Sequence, residues 1–436
     1  MLGAAALAVI LLIALFTGVI PGLRLKPSAP ARLTLTVWGV FDSEQVFTDL
    51  ANIYRKDRAN VEINYRKFED PNTYESELIN ALAAGTGPDI FMFQNTWLPK
   101  HRDKIVPVST TTLPYATFRD AFPQVVSEQF APNQIIYASP LYLDTLALFY
   151  NKDIFDKNSI PLPPTTWTEF KADANKLKQL NSSTNEIFKA GAAIGGSNQS
   201  INRGTDILNL LMLQSGTQMV DSNFVNATFA QTSPINGIQA GLNSLNFYTA
   251  FANPSSPDYT WNENLHYSVD NFAEGNVAMM FNYSHQIPIL HAKNPFLNLG
   301  IAPAPLEEGC GNTMPPSCVS YANYWGLSVS KKSRNQAWAW DFVINTTMSE
   351  AAAESYFTAT KKPPALKTLI NRNLNEPVYG VFIRQALIAR SWPQIDNNVV
   401  DRSFSDMIQA VITGRSSPVE ALSKAQDEIT HLMQNR

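Results

Sequence analysis

From residue 33 onward, the apolar positions fall first into a strand and then onto one face of a helix. "LTLTVWG" at 33–39 reads as a strand, and "DSEQVFTDLANIYRK" places Val46, Phe47, Leu50, Ile53 and Tyr54 together at helical spacing. Asp42 is positioned to cap that helix, with Gln45 three residues on. "VEINYR" predicts a second strand. "NTYESELINALAAG" predicts a second helix, capped by Asn72 with Glu75 and stopped by Gly85, and "DIFMFQ" a third strand. Strand, helix, strand, helix, strand at these lengths implies a parallel sheet with helices on its faces.

Further along, "SPLYLDTLALFYNKDIF" at 139–155 begins as an apolar strand that carries one acid, Asp144. "PPTTWTEFKADANKLKQL" follows. Thr166 and Glu169 form a capping box there, Phe170, Ala174 and Leu177 share a face, and Trp167 is expected to be structural. Residues 181–262 are helical in parts and rich in Asn, Ser and Gly. Strands return at "NVAMMFNY", "NLGIAPAP" and "YWGLSVS" before a long helical region. The last helix starts at "SSPVEAL", where Ser417 caps, Pro418 takes the first helical position and Glu420 closes the box. If the returning strands rejoin the first sheet, the chain crosses between domains more than once and leaves a cleft with a hinge of several strands.

A chain of 436 residues is too long for one ordinary core, so two domains are expected. Net charge is −4 and no basic block occurs, which argues against nucleic acid as a partner. Residues 2–20 are almost wholly apolar and uncharged, a length that fits a membrane span of roughly 20 residues. No basic residue precedes this run and no lipoprotein cysteine follows it. An uncleaved anchor is therefore expected over a cleaved signal, although Arg24, Lys26 and Arg32 after the span oppose that orientation. Cys310 and Cys318, in "GCGNTMPPSC", have no nearby His to make a metal site. They are expected to pair as a disulfide in an oxidising compartment. G-x-S-x-G, H-E-x-x-H and the phosphate-loop pattern are absent, and no pair of acids is pinned at glycosidase spacing. Neither catalysis nor a cofactor is expected.

"GPDIFMFQNTWLP", "SPLYLDTLALFYNKDIF", "PPTTWTEF", "FAEGNVAMMFNYSHQ", "GIAPAPLEEG" and the closing "ITGRSSPVEALSKAQDEIT" occur in this order. Together they resemble the extracellular solute-binding proteins of ABC importers, in the branch that includes maltose-binding protein. The resemblance covers residues 33–436. It implies an α/β, two-domain periplasmic-binding-protein fold with crossing hinge strands, here preceded by an N-terminal membrane helix. It also implies ligand capture in the cleft without covalent chemistry, and an ABC permease as partner. The expected partition is an anchor at 1–23 and a linker at 24–32. A first lobe follows at 33–140 plus 285–332, and a second at 141–284 plus 333–436. The protein is expected at the extracytoplasmic face of the membrane, acting as a monomer.

On this resemblance the strand near Pro140 crosses between lobes and sets Asp144 at the cleft floor, accepting hydrogen bonds from ligand hydroxyls. The alternative is that Asp144 bonds hinge backbone N–H groups only. Ligands in open parallel sheets sit beyond the carboxyl ends of strands. Gln94, Asn95 and Trp97 after the third strand are therefore candidates, with Trp97 able to stack on a pyranose face. Trp38, Ser43 and Glu44 follow the first strand in the same way, with Asp42 ranked lower because of its cap. "FNYSHQ" is expected as the second crossing, which makes Asn282, Tyr283, Ser284 and His285 candidates. Tyr142, Trp261, Tyr324, Trp325 and Trp392 complete the set. Aromatics, amides and acids favour a neutral polyol, a sugar or short oligosaccharide, because an anionic ligand would call for Arg clamps. A ligand-presenting receptor or adhesin, or a binder of peptides or polyamines, would use the same cleft.

Overall fold

The computed structural model describes residues 32–181, 183–184, 186–233, 237–310 and 318–435. The expected membrane helix lies outside these residues. No described helix is long and apolar enough to cross a membrane.

The first sheet begins as the sequence pattern implies. β1 (Leu33–Val40) pairs in parallel with β2 (Val61–Phe68) on one side and β3 (Ile90–Gln94) on the other. β12 (Trp325–Val329) then adds antiparallel to β3, and β4 (Ser139–Pro140) closes the order β2-β1-β3-β12-β4. The helix Glu44–Arg55 buries Val46, Phe47, Leu50 and Tyr54 against this sheet. Its cap position falls on Ser43, and Asp42 is instead buried, accepting from Tyr356 Oη at 2.7 Å and from Lys362 Nζ. In the helix Pro71–Ala84, Asp70 rather than Asn72 is the cap and accepts from the Thr73 N–H at 2.7 Å. Proline lacks an N–H and has φ preset for a first helical position, so Pro71 fixes the start two residues earlier than expected. Gly85 stops the helix in the left-handed region, at φ 75°.

The second sheet has the order β10-β6-β9-β8-β7, built from β6 (Ala147–Asn151), β7 (Gln179–Leu180), β8 (Ile187–Ala192), β9 (Val277–Asn282) and β10 (Leu299–Pro303). Trp167, Phe170 and Phe281 meet in its core with ring centroids 5.3 to 5.6 Å apart, so Trp167 is structural. Two hydrophobic cores result, one per lobe. The chain passes between them at residues 143–146, 321–322 and 389–392. These passages carry β5 (Asp144–Thr145), β11 (Ser320–Asn323) and β13 (Ala389–Arg390), which form a three-stranded sheet of their own in the order β13-β11-β5.

This layout departs from the expected partition. β9 stays in the second sheet, and β10 pairs antiparallel with β6, so the second crossing is at Tyr321–Ala322 and not at "FNYSHQ". Residues expected in the second lobe, among them Trp340, Phe342, Tyr356 and Leu369, pack on the first core. Strand patterns read alike in either sheet, and the pairing of β10 with a strand nearly 150 positions earlier leaves no local mark. Cys310 and Cys318 are joined in a disulfide with Cα atoms 5.0 Å apart.

Candidate functional site

Two adjoining cavities lie between the lobes. The first, of about 340 Å³, opens at the carboxyl end of β3, where Gln94 ends the strand and Trp97 opens the short helix Leu98–His101. An aromatic wall forms because Trp325, first residue of β12, pairs with Gln94 across the sheet. The Trp97 and Trp325 rings meet edge to face at 4.9 Å, and Phe41 packs edge-on against Trp325 at 5.7 Å. Tyr142 continues this wall, with Lys362 Nζ 4.8 Å from its ring centre. Arg203, Tyr283, His285, Asn397 and Asn398 face it from the second lobe.

Asp144 lies at the floor, on the crossing strand β5, and is 3% exposed. Oδ1 accepts from the Thr145 N–H at 2.9 Å, and Oδ2 accepts from the Ser284 N–H at 3.0 Å and Oγ at 2.6 Å. Burial pushes its pKa up to about 7, against the lowering effect of those hydrogen bonds and the Lys362 charge. The acid in an apolar strand is thus tied to its own crossing segment and to Ser284 of the second lobe while it borders the cavity. At the cleft edge Glu75 takes Lys100 Nζ and His101 Nε2 at 2.8 Å each, and Asn398 Nδ2 at 3.3 Å. Burial alone would raise its pKa, but the bonds from His101 and Lys100 hold it below the ordinary value.

The second cavity, of about 300 Å³, shares Gln94, Arg203, Asn323, Asn397 and Asn398 with the first. Its remaining walls are mainly polar, with Asn198, Asn202, Thr205, Asp206, Asn209 and Asp401 from the second lobe and Asn95 and Thr96 from the first. Arg203 precedes the helix Gly204–Gln214 in the left-handed region, φ 67° and ψ 24°, uncommon for a residue with a side chain. Its guanidinium lies 5.2 Å from the Tyr283 ring centre, with Nη1 3.9 Å from Asp206 Oδ2. Asp206 also accepts from Tyr283 Oη at 3.0 Å, and burial pushes its pKa up to about 6 despite the Arg203 charge.

Of the expected residues, Gln94, Asn95, Trp97, Tyr142, Asp144, Tyr283, His285 and Trp325 line one or both cavities. Ser284 stands just behind, holding Asp144. Asn282 is buried and donates to Asn202 Oδ1 at 2.9 Å, and Trp392 donates to Asn209 Oδ1 at 2.7 Å. Both support wall residues rather than forming the wall. Trp38 packs against Phe68 and Arg66 away from the cavities. Ser43 and Glu44 are exposed and line neither. Trp261 and Tyr324 are core side chains, bonded to Ser200 Oγ and the Val125 carbonyl. In each case the physical reason is alternation or burial: a residue after a strand end faces the cleft or the core, and composition does not say which. Sequence reasoning missed Arg203, Lys362, Asn397 and Asn398. The last two sit at the start of the helix Asn397–Ile412, whose cap Asp396 accepts from the Asn398 and Val399 N–H groups. The "IDNNVV" cap signature could have marked that helix start.

The arrangement suits non-covalent capture: aromatic faces, amides that both donate and accept, and carboxylates already held by neighbours. Among the described residues, no group of three or more His, Cys, Asp or Glu could hold a metal ion. A family model described as bacterial extracellular solute-binding protein matches residues 49–376. The probable ABC transporter-binding protein of Deinococcus radiodurans is 22% identical over 356 residues, 80% of this chain and 81% of that protein. The maltotriose-binding protein of Pyrococcus abyssi is 23% identical over 409 residues, 89% of this chain and 80% of that protein. Among solved structures, the cyclic alpha-maltosyl-1,6-maltose binding protein of Arthrobacter globiformis superposes with a TM-score of 0.75 at 18% identity, covering 93% of this chain and all of that one. A cyclo/maltodextrin-binding protein complexed with maltotetraose gives 0.73 at 20% identity, covering 94% and 99%.

Proposed function

Since this chain belongs to the bacterial extracellular solute-binding proteins, we propose that it captures a sugar or short oligosaccharide in the interlobe cleft and delivers it to an ABC permease. The family is one of binding proteins, so the chain is not an enzyme, and it works outside the cytoplasm. In this reading the apolar run at residues 2–20 anchors it to the membrane and it acts as a monomer. The observation that carries the proposal is the first cavity itself, with Trp97, Trp325 and Tyr142 on one side and hydrogen-bonding groups of the other lobe opposite. Sugar rings have apolar faces and polar edges, and such a wall pair meets both. The charges around the cleft are matched locally: Lys362 by Asp42, Lys100 by Glu75 and Asp396, and Arg203 faces Asp206. That balance suits a neutral polyol.

A thermal-shift screen of mono- and oligosaccharides tests this, because a ligand that binds only the folded state raises the melting temperature by mass action. At least one saccharide should stabilise the protein and bind with micromolar or tighter affinity, about −8 kcal/mol or better. No shift with any saccharide, against a clear shift with peptides or polyamines, would overturn the sugar assignment.

A further inference from the structure

The amino end of the first sheet, opposite the cleft, is basic, although the chain as a whole carries a net charge of −4. β1 enters there at Leu33, whose N–H donates to the Asn60 carbonyl at 3.0 Å. The helix Glu44–Arg55 runs back to this end and finishes in Arg55 and Lys56. β12 runs antiparallel to β3, so the turn after it sets Lys331, Lys332 and Arg334 at the same end. That turn is fixed to Asp89, just before β3: the Ser330 N–H donates to its carbonyl at 2.9 Å and the Ser333 hydroxyl to its Oδ1. Arg32, Arg55, Lys56, Lys331, Lys332 and Arg334 are all exposed, and none has an ion-pair partner among the described residues. The acids beside them are largely taken. Asp341 pairs with Arg58 at 2.8 Å, Asp103 with Lys104 at 2.9 Å, and Asp89 accepts from Thr36 and Ser333, which leaves Asp57 and Glu62. Trp338 stands in the first turn of the helix Gln336–Thr347, which begins at this end. At 40% exposed it is the most open of the chain's eight tryptophans. Side chains of a helix lean toward its N-terminus, which carries the indole toward the basic turn.

Resting on the reading of residues 2–20 as a membrane anchor, we propose that this end of the first lobe docks on the anionic phospholipid headgroups of the bilayer. Lys331, Lys332 and Arg334 face lipid phosphates, and the Trp338 indole sits at the headgroup level. Clustered Lys and Arg beside a membrane are drawn to anionic lipid, and tryptophan favours the interface because one end of its ring is apolar and the other wet. The two features coincide where the chain leaves toward the apolar run. Residues 21–31 separate that run from the described chain, and eleven residues span at most about 40 Å. So short a tether keeps the basic end near the lipid at high effective concentration, and it brings Arg24 and Lys26 as well. The cavities open at the other end of the same sheet, beyond β3. In the docked posture the cleft therefore faces away from the bilayer, open to arriving solute.

The test uses the full chain reconstituted on vesicles with brominated acyl chains, made of phosphatidylcholine alone or of an equal mixture with phosphatidylglycerol. Bromine quenches tryptophan emission at the bilayer, and the run at residues 2–20 contains no tryptophan to confuse the signal. Emission should be quenched on the anionic vesicles and not on the neutral ones. The quenching should disappear in Trp338→Phe, and also at about 1 M salt, where the screening length falls to about 3 Å. Each basic side chain near an anionic surface contributes about fivefold to partitioning, so Lys331→Glu, Lys332→Glu and Arg334→Glu combined should lower the docked-to-undocked ratio by about a hundredfold or more. Salt reports on the unaltered protein, so the proposal stays testable if the triple variant fails to fold. Equal emission on both vesicle types, with the protein sedimenting with both, would overturn docking while leaving the anchor standing. Protein that stays in solution with neutral vesicles but binds anionic ones, with the same salt and variant dependence, would overturn the anchor and support docking. Protein that sediments with neither would overturn both. A signal that follows protein density rather than lipid charge would assign this face to a second copy of the chain, and so overturn the membrane as its partner.

Discussion

Asp144 shows what a single carboxylate does when a strand carries it out of one lobe toward the next. Its oxygens accept from the backbone N–H groups of Thr145 and Ser284 and from the Ser284 hydroxyl, which ties the crossing strand to the second lobe, and the group also borders the first cavity. Burial raises its pKa from the ordinary 3.8 to about 7. The folded state therefore binds a proton that the unfolded state releases. That contribution is complete below the unfolded value and is lost as pH rises through the folded one. Asp206, pushed up to about 6, acts in the same direction, whereas Glu75, held low, acts oppositely. Asp144→Asn removes one of these titrating groups. Its melting temperature should fall less steeply than the wild type's as pH is raised from about 4 to about 8. Parallel profiles for the two proteins would mean that Asp144 does not titrate in this window. Trp97 teaches a related lesson. It lines the cavity, yet it is 2% exposed, and its Nε1 donates to Asn397 across the lobes at 3.1 Å. Truncating it to alanine would cost roughly 3–5 kcal/mol of packing, so loss of binding in that variant would say little about ligand contact.

At the scale of elements, local chemistry wrote most of the boundaries. The closing helix Pro418–Gln434 has both halves of its capping box, with the Ser417 hydroxyl accepting from the Glu420 N–H and the Glu420 carboxylate accepting from the Ser417 N–H. Its buried face of Ala421, Leu422, Ala425 and Ile429 packs in the second core. Ser417→Ala should cost about 1 kcal/mol of stability in denaturant unfolding. A change under roughly 0.3 kcal/mol would show that packing alone sets the helix start. The box at Thr166 and Glu169 was equally legible, because a cap and its partner lie three residues apart in the chain. What the local pattern did not reveal is pairing at a distance. β10 joined β6 in the second sheet, and β11 rather than "FNYSHQ" made the second crossing. The same holds for the site. Gln94, Trp97 and Trp325 were legible because they end, follow or begin strands in the first sheet. Arg203 and Lys362 were not, because an isolated cation in a loop carries no period and its neighbours are set only by how the lobes meet.

For the whole molecule, the question is what holds the lobes together over a filled cleft. Direct ties exist at one side: Lys100 Nζ lies 2.7 Å from Asp396 Oδ2, and Asn398 and Asn397 reach Glu75 and Trp97. Lys100 is 32% exposed in its side chain, and a bridge open to solvent contributes at most about 1 kcal/mol and weakens with salt. A micromolar ligand contributes about −8 kcal/mol in total, part of which is gained only when both lobes touch it. The ligand's contribution therefore outweighs that of the bridge, and it biases the closed arrangement by the difference in its affinity for the two states. The backbone change would be absorbed in the crossing segments that carry β5, β11 and β13, as in hinge closure generally. A permease could then tell loaded from empty protein by shape. Small-angle scattering of the purified protein should show the radius of gyration falling when a saturating saccharide is added. The loaded value should stay unchanged at high salt, since the buried contacts to ligand are screened less than the Lys100 bridge. An identical radius with and without bound sugar would mean a rigid cleft, and recognition by the permease would have to rest on something other than closure.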